Sequence, residues 1–200
     1  MKYVLRTFKQ TSPGDADAVL DGLKELRSMF GWSGIGFLTK SWSNPMGLVT
    51  MARTFDSTEE IYDHFENITD QMRAKIQKIN EMSKSSWSLM LTQRKPMTNW
   101  DPKTIRDYRV LDQWFIKPKF GNLHKIIDPL IKHSESFTGM KPAISVPNSG
   151  TGSVFVSRLL KKPSEIILDE KTREAQIDFV SKYGDLIDEV NRNQTPLIFD

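Results

Sequence analysis

Cysteine is absent from the 200-residue sequence, which excludes disulfides, thiolate metal ligands and a cysteine nucleophile. Histidine is scarce, with only His64, His124 and His133. His124 and His133 fall on opposite flanks of one helical stripe and read as surface residues, and no HExxH or similar spacing occurs. Asp and Glu form no cluster suited to a hard cation, so no metal is expected. No apolar run approaches the roughly 20 residues of a membrane span, and Lys2 and Arg6 interrupt the N-terminus too soon for a signal peptide. The expectation is a cytoplasmic protein with no membrane partner.

A concentrated basic stripe is missing too. The 28 Lys and Arg residues against 25 Asp and Glu give a net charge of +3, and the two signs are mixed along the chain. That argues against a nucleic-acid partner. The composition, 38% hydrophobic and 26% charged, leaves no segment polar enough to stay disordered.

What is present is hydrophobic patterning in a repeated order. Tyr3–Phe8 reads as a strand, and Val19, Leu20, Leu23, Leu26 and Phe30 mark a helix that stops at Gly31. Gly36–Trp42 and Gly47–Phe55 read as strands joined by a hairpin at Ser43-Asn44-Pro45-Met46. Asp56 or Ser57 then caps one long helix with the stripe Ile61, Phe65, Ile68, Met72, Ile76, Ile79, and Ser86–Thr92 closes the half as a strand.

After the polar joint Lys95–Pro102 the order returns. Tyr108–Ile116 is a strand; Leu123, Ile126, Ile127, Leu130 and Phe137 mark a helix that Pro129 should kink. Ala143–Val146 and Ser153–Leu160 are strands around Pro147–Gly152. A helical region from Ser164 to Val190, broken near Asp169, precedes a last strand at Pro196–Phe199.

Residues recur as well as elements. Gly47, Val49, Arg53, Glu60 and Ile61 return at one constant offset as Gly152, Val154, Arg158, Glu165 and Ile166. Val4, Leu5 and Phe8 echo as Val110, Leu111 and Trp114, shifted by one further residue. The expected fold is α+β: two tandem βαββαβ ferredoxin-like units packed as a pseudo-symmetric α+β barrel. The expected boundaries are 1–95, a linker at 96–106, and 107–200.

This order resembles the dimeric α+β barrel superfamily, which includes antibiotic-biosynthesis-monooxygenase-like, haem-degrading, stress-responsive and NIPSNAP-like proteins. The resemblance rests on topology and covers almost the whole chain. It implies a pocket for a small apolar or aromatic ligand more than one reaction, and cofactor-independent oxidation is the chemistry it best allows. A non-enzymatic interaction or structural protein, with homo-oligomers allowed, is the rival class.

Candidate residues follow from the pattern. Arg53 and Arg158 are cations on otherwise apolar strand faces, suited to a substrate carboxylate or enolate, or else to ion pairs with Glu60 and Glu165. His64 borders the apolar stripe of its helix, as a half-exposed surface residue or a functional base. In haem-degrading members of the superfamily a histidine on the comparable helix ligates iron, which makes haem the one cofactor the resemblance admits. The matching first-strand asparagine is missing here, and the second half has no histidine at that place. The strand aromatics Phe8, Phe37, Trp42, Trp87, Trp114 and Phe155 either stack a flat ligand or fill core.

Pro147–Gly152 lacks the GK[ST] ending of a phosphate loop and reads as a hairpin connection. The RNA-recognition fold shares the element order, but neither 47–53 nor 152–158 carries its basic, glycine and aromatic signature.

Overall fold

The computed structural model describes residues 2–12, 14–31, 37–40, 47–149 and 152–198, with the side chains of 37–40 and of Pro102 excepted. The chain is mixed α+β. Its elements are β1 (Lys2–Thr11), α1 (Ala16–Met29), β2 (Phe37–Lys40), β3 (Leu48–Phe55), α2 (Thr58–Glu66), α3 (Asp70–Glu81) and β4 (Ser83–Lys95). There follow β5 (Val110–Pro118), α4 (Leu123–Ser134), β6 (Ala143–Pro147), β7 (Val154–Leu160), α5 (Glu170–Tyr183) and β8 (Ile187–Ile198). The chain divides into two compact units, unit 1 comprising 1–91 with 195–200, and unit 2 comprising 92–194.

In unit 1, β1 pairs antiparallel with β3, β3 with β2, and β2 with the end of β8. Opposite partners share a face, so Leu5, Thr7 and Lys9 of β1 lie beside Arg53, Met51 and Val49 of β3. On that face α1 and α3 pack, and Val19, Leu20, Leu23, Leu26, Val49, Met51, Met72 and Ile79 form the core. The helices approach closely at Gly22, where a Cβ would stand 2.9 Å from Ile79 Cγ1.

In unit 2, β5 pairs antiparallel with β7, and β7 with β6. Its core is Trp114, Ile116, Ile126, Leu130, Phe137, Ile144, Val154, Val156 and Phe179. The helix α4 runs through Pro129.

Several elements differ from expectation. The long helix after Ser57 is two helices: Ser57 caps α2 by accepting from the Glu60 N–H, and Thr69 caps α3 by accepting from the Met72 N–H. A threonine able to satisfy a helix N-terminus thus starts a new helix inside a continuous apolar stripe. The region from Ser164 holds a 3-10 turn at Pro163–Ile166, then α5, which Asp169 caps through the Thr172 N–H, and a second 3-10 turn at Gly184–Leu186. The last strand starts at Ile187, and Val190 belongs to it instead of to a helix. β1 and β4 are also longer than expected; Thr11 holds β1 in line by donating both its N–H and its hydroxyl to the Gly47 carbonyl.

The expected hairpin at Ser43–Met46, most of the strand before it with Trp42, and the side chain of Phe37 lie outside the described residues, as do Gly150 and Thr151. Gly47 and Gly152 both carry positive φ, 69° and 100°, in front of their strands. The second sequence echo is out of register. Phe8 pairs with Thr50, whereas Trp114 pairs with Val156; carrying Thr50 to Phe155 by the Gly47-to-Gly152 offset leads to Phe115. A one-residue slip moves a side chain to the other face of a sheet, so Phe115 takes the place of Phe8 and Trp114 that of Thr7.

Candidate functional site

That register explains a difference between the units. The helix-facing residues of β1 are Leu5, Thr7 and Lys9; at the corresponding places of β5 stand Asp112, Trp114 and Ile116. In unit 2 the Trp114 indole and Ile116 fill the space under the helices, and only about 50 Å³ remains among them, Phe137, Val156 and Phe179. In unit 1 the short Thr7 leaves a cavity of about 320 Å³.

The unit 1 cavity is walled by Leu23, Leu26 and Phe30 of α1, Met51 of β3, His64 and Phe65 at the end of α2, and Ile68, Ile76 and Ile79. One end is polar, formed by Thr7, Lys9, Asn80, Ser86 and Ser88. The Thr7 and Ser88 hydroxyls are 3.0 Å apart, and the buried Lys9 ammonium donates to Asn80 Oδ1 and Ser86 Oγ. Burial lowers the Lys9 pKa from its ordinary value.

The other end holds His64, which is buried, not half-exposed as expected. Its ring lies among Phe30, Phe55 and Phe65, with centroids 4.5, 5.5 and 5.2 Å away. Arg53 brings Nη1 to 2.6 Å from His64 Nδ1 and Nη2 to 3.5 Å from Glu60 Oε1, with Cζ 4.5 Å from the Phe55 ring centroid. Glu60 also accepts from the Asp56 N–H, which fixes it over the start of α2. A guanidinium only donates, so His64 Nδ1 accepts and Nε2 carries the ring proton. Burial, and then the Arg53 charge, push His64 down to about 4, so the imidazole is neutral at pH 7. Arg53 is itself lowered by burial, against the opposing pull of Glu60.

Arg158 sits differently. Across from it stands Asp112, fully buried, where Arg53 faces Leu5. Arg158 Nε donates to Asp112 Oδ2 at 3.0 Å and Nη2 to the Glu165 carbonyl at 3.0 Å. Arg192 grips the same carboxylate with two bonds, of 2.9 and 2.8 Å, and adds one to the Ile166 carbonyl. Both guanidiniums lie against the Trp114 ring, at 5.4 and 4.6 Å. This is a closed ion cluster in unit 2.

Of the residues singled out from sequence, the structure brings Arg53 and His64 together, and His64 lines the cavity. Trp114 belongs to the filled interior of unit 2. Trp87 stacks on Phe8, with centroids 5.2 Å apart and planes within 9°, on the face of β1 that points away from the cavity. His133 is half-buried against Phe137 and Phe179, not a surface residue, and burial lowers its pKa; His124 is exposed. The sequence reading missed Thr7, Lys9, Asn80 and the two serines. Ending the first strand at Phe8 hid the alternation Leu5, Thr7, Lys9, which would have put Lys9 on the helix-facing side.

Among the described residues no group of three or more His, Asp or Glu forms a metal site, and no helix is long and apolar enough to cross a membrane.

Comparison with known proteins places the fold. No protein-family model matches the chain, and no curated protein matches it in sequence. A candidate monooxygenase from Fusobacterium nucleatum is similar in structure with a TM-score of 0.74 at 9% identity, over 99% of this chain and 93% of that one. A candidate monooxygenase from Lactobacillus acidophilus gives 0.67 at 10% identity, over 99% and 94%. A variant chlorite dismutase from Candidatus Nitrospira defluvii gives 0.59 at 7% identity, over 99% and 90%. The likeness, at 10% identity or less, is one of fold: a mixed α+β chain folded as these structures are.

The superfamily resemblance admits haem, so the donor chemistry at His64 decides whether this chain suits it. A metal-bound histidine coordinates through an unprotonated nitrogen and usually donates its other N–H to an acceptor. His64 has the reverse polarity: Nδ1 accepts from Arg53, and Nε2 holds the proton. In this arrangement His64 does not fit an iron ligand.

Proposed function

We propose that unit 1 binds a small apolar or aromatic molecule in its cavity, and that the protein acts on it as a cofactor-independent, monooxygenase-like enzyme. The observation that carries this reading is the substitution of Thr7 and Lys9 for the Trp114 and Ile116 that close unit 2, which leaves about 320 Å³ in place of about 50 Å³. Apolar walls with a few converging polar groups are the usual make-up of a small-molecule site. The monooxygenase descriptions of the Fusobacterium and Lactobacillus neighbours support the oxidative direction.

In such a reaction the substrate supplies the electrons. A methylene group between carbonyl or aryl neighbours loses a proton and becomes an enolate. The enolate carbon then bonds to dioxygen, and the released proton returns to the resulting peroxide anion to give a hydroperoxide. Loss of water from that hydroperoxide leaves a carbonyl. One methylene and one dioxygen thus become one carbonyl and one water. The apolar walls keep bulk water from the hydroperoxide until it collapses.

A second reading, a non-enzymatic interaction protein, is favoured by unit 2, where Trp114 and Ile116 fill the space under the helices and Arg158 and Arg192 are committed to Asp112. The two units also read as a tandem duplication. Supporting this, Glu60 and Glu165, one offset apart, accept from the equivalent backbone N–H groups of Asp56 and Lys161.

The test copies unit 2 into unit 1. Native mass spectrometry of the full chain from its own cells should show a bound mass that Thr7→Trp removes while the far-ultraviolet circular dichroism stays the same. A bare mass in the unaltered protein, or a bound mass that survives the tryptophan, contradicts the reading.

A further inference from the structure

Lys9 is the least ordinary residue of the cavity. It is 5% exposed, its strand partner is Val49, and its ammonium partners, Asn80 Oδ1 and Ser86 Oγ, are both neutral. Buried charges in folded proteins are usually paired with opposite charge, because removing an unpaired ion from water is costly. Of the three other buried lysine and arginine side chains among the described residues, Arg158 has Asp112 and Lys95 has Glu135 at 3.0 Å, while Arg6 lies over the Phe8 ring. An ammonium has three N–H bonds, and two are spent on the amide and the hydroxyl. No aspartate or glutamate lines the cavity among the described residues.

Structural duty does not account for the charge. Methionine would fill the same length without the desolvation cost, and unit 2 places Ile116 at the matching position. The Thr7 and Ser88 hydroxyls, next to Lys9 and Ser86 on their strands, add further donors at the same end. Among the described residues, apolar side chains and a neutral imidazole stand opposite.

We infer that Lys9 makes the unit 1 cavity a receptor for a flat, mostly apolar anion, an aromatic carboxylate or an enolate, whose charged oxygen takes the third N–H of the ammonium. The inference rests on the cavity being a ligand site and narrows the class of ligand it takes. For the oxidation described above, the same contact stabilises the enolate oxygen as the carbon loses its proton, with no movement of the lysine needed.

The experiment measures binding of 1-naphthoate and of its neutral isostere 1-naphthamide to the full chain by isothermal titration at neutral pH. The charged hydrogen bond should make the carboxylate bind about tenfold more tightly or better. Lys9→Met, checked for fold by circular dichroism, should bind both equally, and Lys9→Arg should restore the preference. Equal binding of the two probes by the unaltered protein overturns the inference and needs no variant, while leaving the cavity itself a ligand site. Binding of neither probe overturns the inference and counts against the cavity as a ligand site. A preference for naphthoate that persists in Lys9→Met assigns the anion to another group and overturns the role of Lys9.

Discussion

Arg53 and Arg158 occupy corresponding strand positions, and the residue across the sheet decides what each does. Asp112 draws Arg158 into a cluster with Arg192, whereas Leu5 offers Arg53 nothing, so Arg53 turns to His64 and Glu60. Removing the Asp112 carboxylate would strand two guanidiniums beside Trp114, and breaking a buried pair in this way costs about 3–5 kcal/mol. Asp112→Ala should therefore lower the urea midpoint by far more than an average core truncation, and a midpoint unchanged from the parent would contradict the cluster. His64 makes a pH prediction. Its folded pKa, about 4, lies below the ordinary 6.5, so the unfolded chain binds more protons between those values. Stability from this group is fully present above about pH 6.5 and is lost as pH falls to about 4. The half-buried His133 acts in the same direction. In urea titrations across that window, His64→Gln should flatten the decline; an identical decline in the variant would show that His64 is not held neutral.

At the scale of elements, the contact of α1 with α3 depends on Gly22. Alanine there improves helix propensity by about 1 kcal/mol, but its Cβ would press on Ile79, which is 1% exposed. Overpacking costs about 1–3 kcal/mol, so Gly22→Ala should destabilise the protein despite the better propensity, as a urea titration would show. The order of elements was legible because each strand and helix carries its own period and punctuation. Boundaries were less so. The break between α2 and α3 depends on whether Thr69 caps, which an unbroken apolar stripe conceals. The start of β8 at Ile187 was lost because its first residues, Asp188 to Asn193, are exposed and, apart from Val190, polar, and lack the apolar alternation of a buried strand. Arg53 and His64 were legible as oddities on apolar faces. Lys9 was not, because its meaning comes from register with Val49 and from neutral neighbours contributed by α3 and β4.

For the whole molecule, the two units differ in what their helix-facing strand positions carry. Unit 2 carries a tryptophan, an ion cluster and little space around that tryptophan; unit 1 carries a threonine, a lysine and a cavity. Neither overall composition nor net charge separates these outcomes, since a few helix-facing positions on one strand decide them. The most direct test of the claim that unit 1 is the ligand site uses methionine methyl resonances. Met51 lines the unit 1 cavity, while Met140 lies in unit 2, its sulfur accepting from the Leu159 N–H at 3.2 Å. With carbon-13 methyl labels, titration with indole should shift the Met51 signal saturably, leave Met140 in place, and have no effect on Met51 in Thr7→Trp. A Met51 signal that never moves, or one that moves no more than Met140, would contradict a ligand site in unit 1.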